Sequence, residues 1–199
     1  MNLSISVMAH PSREKFFDYL KERLGDIPFS IDTSGIGVWE NCKRAWMMAD
    51  RSADYHVVIQ DDAIVCENFK ERAIEEIIKS GGDKALSFYF GRRGNMIEMS
   101  QEGLKNGHII LPGVRWGLAI CMRTELIEDM IKFAERLNTP KDDARISRFL
   151  TNRGIKTYYP IPSLIDHRPH EEAESLVGDV GKGRVAYKFI DENKRGNKI

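Results

Sequence analysis

Tyr55-His56-Val57-Val58-Ile59-Gln60, followed at once by Asp61-Asp62-Ala63, is the stretch on which the fold turns. Its apolar and aromatic positions form a run short enough for a buried strand, and the run ends on two adjacent carboxylates. Such strands belong to α/β sheets, whose C-terminal edge is where ligands bind. Neighbouring carboxylates repel one another unless a cation or a proton sits between them. A hard divalent cation carrying a phosphate ester is the usual resolution, because Mg²⁺ and its relatives take oxygen from one or two carboxylates plus the substrate. The plainer reading, an aspartate capping the next helix, accounts for one of the pair and not for both.

Upstream, Leu3, Ile5 and Val7 alternate with Ser4 and Ser6, predicting an opening strand. Ser12 is placed to cap a helix with Phe16, Phe17, Leu20 and Leu24 on one face, stopped by Gly25. Ile27 to Ile31 reads as a second strand ending at Asp32. Trp39, Cys42, Trp46 and Ala49 have the spacing of an amphipathic helix, where both indoles are core rather than stacking platforms. Downstream of the acid pair come a helix carrying Phe69, Ala73, Ile77 and Ile78, and a strand from Leu86 to Phe90. A strand or hairpin at 116–121, helices over 124–137 and 142–152, and a strand at 157–159 follow. Three successive strand–helix alternations predict a mostly parallel central sheet flanked by helices. Gly91 to Pro112 lacks periodicity and is expected to be a loop or hairpin over the sheet edge. One domain spans 1–190, with a polar tail from 191 to 199 that frays.

The chain has 199 residues, enough for one well-filled core. Lysine plus arginine equals aspartate plus glutamate, thirty each, so nothing in the bulk charge favours a nucleic-acid coat or a membrane surface. Cys42, Cys66 and Cys121 are few, odd in number and far apart, which implies neither a zinc site nor a disulfide framework and suits a reducing, cytoplasmic setting. The N-terminus lacks the basic flank of a signal peptide, and no stretch reaches the ~20 apolar residues of a membrane span.

The ends of the first three strands supply the His10–Arg13 loop, Asp32 and Asp61-Asp62, which converge in an open parallel sheet. A cationic loop, an acid for ribose or base, and a metal-binding carboxylate together suit a nucleoside diphosphate. No G-x-G-x-x-G follows the first strand and no P-loop signature occurs, which argues against a dinucleotide cofactor and a P-loop ATPase. Asp142-Asp143 opens a helix, where capping is the ordinary role and general base the sharper one. His167 follows a proline-bearing run and is either a metal ligand beside Asp62 or a surface histidine paired with Asp166. His170 and His56 have weaker claims, His56 as a structural residue within its strand. Arg168, Lys182, Arg184 and Lys188 form a basic segment able to fold over phosphates, though such charge is usually solvated.

The ordered set Val7–Arg13, Trp39 with Arg44-Ala45-Trp46, Val58–Ala63, Pro162–Arg168 and Ser175–Gly178 resembles the GT-A glycosyltransferases, in particular small phage-encoded ones. The resemblance implies a GT-A-like (Rossmann-like) α/β fold and a metal-dependent transfer of sugar from a nucleotide-diphosphate-sugar donor to an acceptor hydroxyl. It implies Mn²⁺ or Mg²⁺ on Asp62, the last acid of the D-x-D motif, and on His167; Gln60 stands where that motif has its first acid. Ala9, His10, Arg13, Asp32, Arg44, Asp61 and Arg168 would meet the nucleotide-sugar, and Asp143 or Asp142 would be the acceptor-side base. A saccharide, a small molecule or a modified DNA base would serve as acceptor, in the host cytoplasm if the chain is phage-encoded. Two other accounts compete: a nucleotidyltransferase, and a non-catalytic nucleotide- or sugar-binding module.

Overall fold

The structure is a computed structural model that describes residues 1–92, 97–173 and 184–192. Ser175–Gly178, Lys182 and the last seven residues of the expected tail lie outside the described residues. The chain opens with β1 (Leu3–Ala9), a 3-10 turn (Pro11–Phe16), α1 (Phe17–Leu24), β2 (Phe29–Ile31), α2 (Val38–Met47) and β3 (Tyr55–Gln60). It continues with β4 (Ala63–Val65), α3 (Phe69–Lys79), β5 (Ala85–Ser87), α4 (Ile97–Asn106), β6 (His108–Pro112) and β7 (Ala119–Arg123). A 3-10 turn (Thr124–Leu126), α5 (Ile127–Ala134), α6 (Asp142–Asn152), β8 (Lys156–Pro160) and β9 (Ile165–His167) complete it.

Seven strands form one sheet in the order β2-β1-β3-β7-β5-β8-β6. β2, β1 and β3 are parallel, as the strand–helix alternation requires. β7 then enters antiparallel between β3 and β5, and β6 closes the far edge antiparallel to β8. The sheet is therefore mixed rather than mostly parallel in its pairings, although β2, β1, β3, β5 and β8 all point one way.

Strand parity divides the core. Tyr55, Val57 and Ile59 face α1 and α3, packing with Leu20, Phe69, Ala73 and Ile77. Val58 faces the opposite layer, with Trp39 and Trp46 of α2, Met130 of α5 and Phe149 of α6. His56 shares that second face: its ring lies edge-on to Trp46 and its nitrogens meet Ser4 Oγ at 2.7 Å and Ser6 Oγ at 3.0 Å. The serines that alternate along β1 thus satisfy a fully buried imidazole, and burial pushes His56 down to about 4. The structural role expected of His56 is the one it has.

Three local expectations are corrected. Gly91 to Pro112 holds α4 and β6, not a bare loop. The apolar Met99 and Leu104 of α4 are 37% and 43% exposed, while its close packing is made by Gly103, where a Cβ would stand 2.6 Å from Ile109. A helix that docks through a glycine leaves no 3.6-residue apolar stripe. Ser12 does not cap α1; the 3-10 turn begins after His10, whose Nδ1 accepts the Ser12 N–H at 3.3 Å. The tail does not fray from its first residue, since the Asp191 carboxylate accepts the Glu67 N–H at 2.8 Å.

Candidate functional site

β1, β2 and β3 end side by side, and β7, running the other way, starts beside them: the Gln60 N–H donates to the Leu118 carbonyl at 2.9 Å. Directly past β3 the chain turns through Asp61 and Asp62 into β4, which pairs antiparallel with β9. That ribbon sets Ala63 opposite His167, and the Arg168 N–H donates to the Asp62 carbonyl at 3.0 Å. The ribbon therefore delivers the late histidine to the acid pair across a hundred residues of chain. Pairing of Ala63–Val65 with Ile165–His167 was missed in the sequence, where each run is too short to read as a strand.

The two aspartates do different work. Asp61 is saturated: its Oδ2 accepts the His10 N–H at 2.7 Å and its Oδ1 accepts from Arg13 Nη1, also at 2.7 Å. Burial pushes its pKa up against the pull of Arg13, Asp62 adds to the rise, and the net is above the ordinary carboxyl range. Asp62 Oδ2 also lies 2.9 Å from Arg13 Nη1, whereas Asp62 Oδ1 is buried with no hydrogen-bond partner among the described residues. The cation that two adjacent carboxylates call for is thus a guanidinium. Burial opposes the charge on Arg13, but the Asp62 and Asp61 carboxylates outweigh it and hold its pKa above the ordinary value.

His167 is 5% exposed, so it is no surface histidine. Its Nδ1 is 3.0 Å from the Arg168 carbonyl, which requires the proton on Nδ1; in the neutral ring Nε2 is then the acceptor. Nε2 lies 3.3 Å from Arg184 Nη1, a donor, and 3.4 Å from Asp62 Oδ2, an acceptor. Nε2 thus faces a cationic donor and a carboxylate oxygen together, an arrangement that a cation between ring and carboxylate would complete. The Nε and Nη2 of Arg184 are buried without partners among the described residues, as is Nε of Arg168. The Arg168 guanidinium lies over Phe16 and Tyr19, 4.1 and 4.7 Å from their centroids. Tyr89 and Trp116 form an aromatic wall beside His167.

A divalent cation fits this donor set. Asp62 Oδ1 is an orphaned acceptor, and Asp62 Oδ2 and His167 Nε2 are spaced as two ligands of one ion would be, with the Nδ1–H···O=C bond that orients a ligating imidazole. The protein side supplies only these two; no cluster of three or more His, Cys, Asp or Glu occurs among the described residues. Mn²⁺ or Mg²⁺, which leave positions for water and phosphate, suit so sparse a set better than a metal needing a full protein cage.

Gln60 belongs to the other side of the strand end. Its parity turns it towards α6, where its Nε2 donates to Asp142 Oδ2 at 3.3 Å. Asp142 is buried behind Gly117 and Cys42, and its Oδ1 accepts the Asp143 N–H at 2.8 Å. Burial, reinforced by the Asp143 charge and opposed by those hydrogen bonds, raises Asp142 to about 6. Asp143 is only half-buried. The pair divides as its helix position suggests, one carboxylate capping from within and one facing outward.

The remaining expected residues lie off this centre. Asp32 accepts the N–H groups of Ile36 at 2.8 Å and Gly37 at 3.1 Å, organising the turn into α2. Burial alone would raise it; those amides, with Gly35 and Ser34, win and lower it. The Ala9 carbonyl is taken by Asp32 N and Asn41 Nδ2, and Arg44 donates to the Ile31 carbonyl from an exposed position. A concavity of about 650 Å³ opens at the far end of β3, lined by Arg51, Tyr55 and Arg123. Of its charges, Arg123 pairs with Glu125 at 3.1 Å and the N-terminal amine with Asp54 at 4.0 Å.

No protein-family model matches the sequence, and no curated protein matches it. Among solved structures, the crystal structure of A197 from STIV is similar over 84% of this chain and 85% of that one, at 14% identity and a TM-score of 0.49. A likeness of that size says nothing about chemistry. Among the described residues no helix is long and apolar enough to cross a membrane.

Proposed function

We propose that this chain is a GT-A-type glycosyltransferase that takes a nucleotide-diphosphate sugar at the tip of β3 and transfers its sugar to an acceptor hydroxyl. One observation carries the reading: unsatisfied groups of opposite kind surround a single imidazole. Asp62 Oδ1 and the Nε and Nη2 of Arg184 have no hydrogen-bond partner among the described residues, and His167 Nε2 lies 3.4 Å from Asp62 Oδ2 and 3.3 Å from Arg184 Nη1. A divalent cation already bound to a diphosphate satisfies both in one ligand.

Asp62 and His167 hold the Mn²⁺ or Mg²⁺, which when bound neutralises charge on the departing nucleoside diphosphate. Arg184 and Arg168 donate to phosphate oxygens. Asp61 ties the His10–Arg13 loop to β3 and so shapes the floor on which the nucleotide rests. Asp143, facing outward from the start of α6, accepts the proton of the attacking hydroxyl. Asp142 positions it from behind, through its own Oδ1 and the Asp143 N–H. Gln60 links the two halves, since it precedes the acid pair and bonds Asp142. Acceptors compatible with this site include a saccharide, a small molecule and a modified DNA base.

The test is a thermal-shift panel of UDP-, GDP-, CMP- and ADP-sugars with and without Mn²⁺, followed by product analysis. One nucleotide-sugar raises Tm only with metal, and Asp143→Asn keeps that shift while losing transfer. No shift with any donor removes the reading. A shift without turnover in the wild type, indifferent to Asp143→Asn, makes the chain a binding module.

A further inference from the structure

Arg13 occupies the place where a divalent cation would be expected to bind. Its Nη1 is 2.7 Å from Asp61 Oδ1 and 2.9 Å from Asp62 Oδ2, and the side chain is 9% exposed. The loop that carries it is pinned from the other side by the His10 N–H on Asp61 Oδ2. Arg184 adds a second guanidinium at His167. The groups in contact at the tip are therefore two carboxylates, two guanidiniums and an imidazole, and the carboxylate and guanidinium charges already balance. A bare divalent ion entering this arrangement brings an uncompensated charge of two into a buried site, beside a guanidinium that already holds its carboxylate ligand. The same ion arriving on the diphosphate of a nucleotide sugar brings no net charge, because that diester carries two negative charges, and its phosphate oxygens meet the Arg184 Nε and Nη2 donors, which have no partner among the described residues.

We propose that Arg13 is a resident counter-cation that makes metal uptake conditional on the diphosphate. With no donor present, Arg13 holds Asp62 and the ion binds weakly; the metal–diphosphate complex displaces the guanidinium from Asp62 Oδ2 while Asp61 Oδ1 retains it. Arg13 is in this sense a positioning and specificity-determining residue, coupling two ligands that share one site. This rests on the glycosyltransferase reading for the identity of the donor, but its electrostatics concern only the metal and two linked phosphates.

Mn²⁺ binding to the full chain, followed by the loss of the free-ion paramagnetic resonance signal, tests it without turnover. Arg13→Met is expected to tighten binding of Mn²⁺ alone at least tenfold over the wild type, and Asp62→Asn in that background removes the gain. Because Arg13→Met leaves Asp61 buried and unpaired, the double variant Arg13→Met/Asp61→Asn removes the ion pair as a unit and is expected to change affinity in the same direction. Thermal shift with inorganic pyrophosphate reads the coupling: the wild type responds to Mn²⁺ plus pyrophosphate and not to Mn²⁺ alone, and the variants respond to both. Unchanged affinity for Mn²⁺ alone in both folded variants overturns the role of Arg13 and leaves the transferase reading standing. Absence of any response to Mn²⁺ plus pyrophosphate, in the wild type as well, overturns both.

Discussion

Asp142→Asn should make this protein more stable at neutral pH while impairing transfer. Its carboxyl rises from about 4 in the unfolded chain to about 6 in the fold, mainly through burial and then through the Asp143 charge. Ionising such a group in the native state costs about 3 kcal/mol above pH 6, because each factor of ten in acidity is worth about 1.4 kcal/mol. The stability associated with its proton is whole below about pH 4 and is lost as the pH climbs through 6. Asparagine never ionises. Its Oδ1 can still accept the Asp143 N–H, and the new amide meets Gln60 Nε2 unless Gln60 turns its own carbonyl inward. The net gain at pH 8 is therefore about 1–3 kcal/mol.

His56 supplies the opposite slope and so a sharper readout. Its pKa falls from 6.5 to about 4 through burial, so the neutral ring is favoured in the fold. That stability is whole above about pH 6.5 and fades as the pH drops to 4, a loss of about 3 kcal/mol. No titratable side chain faces His56 among its bonded partners, which are Ser4, Ser6 and the Ala45 carbonyl. In the wild type the two slopes nearly cancel between pH 4 and 6.5. Urea unfolding across that range should therefore differ in slope between the two proteins, Asp142→Asn losing more stability on acidification than the wild type. Asp61, whose pKa is also raised, adds equally to both proteins and drops out of the difference. A variant less stable than the wild type at pH 8, or one with the same pH dependence, refutes the account.

Asp62→Ala should abolish the metal-dependent thermal shift produced by donor, and His167→Ala should weaken it less; an unchanged Mn²⁺ response in Asp62→Ala removes that residue from the site. Gly113→Ala should destabilise by about 2 kcal/mol or more, since Gly113 has φ +64° and an added Cβ would strike Ser147 Oγ, the group that accepts the Val114 N–H. A chemical-denaturation midpoint within error of the wild type shows that the turn before β7 gives way more easily than its geometry implies.

Much of this architecture was readable from periodicity, and the parts that were not have identifiable causes. β1, β3 and α2 announced themselves through alternation and 3-4-3 spacing, because each buries one regular face. α4 did not, since its contact is Gly103 against Ile109. The place of β7 between β3 and β5 was invisible for another reason: strand order is set by pairing across more than sixty residues, which no local pattern encodes. In the site, Asp61, Asp62 and His167 were picked out by type and context and do converge. Asp32 lies at a strand end and Arg44 on a segment of the resemblance, yet their side chains serve backbone groups. Arg13 was expected as a nucleotide contact; that it would be the counter-ion of the acid pair required the loop geometry.

Gln60 shows how one residue can separate two halves of a chemistry. Side chains alternate along β3, so Ile59 enters the α1–α3 core and Gln60 turns to the α6 side. An acid at position 60 would therefore face Asp142 rather than Asp62 and His167, adding a further carboxylate beside an Asp142 already raised by burial and by the Asp143 charge. Glutamine avoids that repulsion and donates a hydrogen bond instead. On the proposed transferase reading, the departure from D-x-D at position 60 leaves Asp62 and His167 untouched and spares Asp142 a further carboxylate. Gln60→Glu should accordingly leave Mn²⁺-plus-pyrophosphate binding within about threefold of the wild type and push Asp142 to a still higher pKa. The pH profile of transfer would then shift to the alkaline side. A large gain in metal affinity in that variant would mean that residue 60 reaches the cation after all, and the division of the site along the strand would fall.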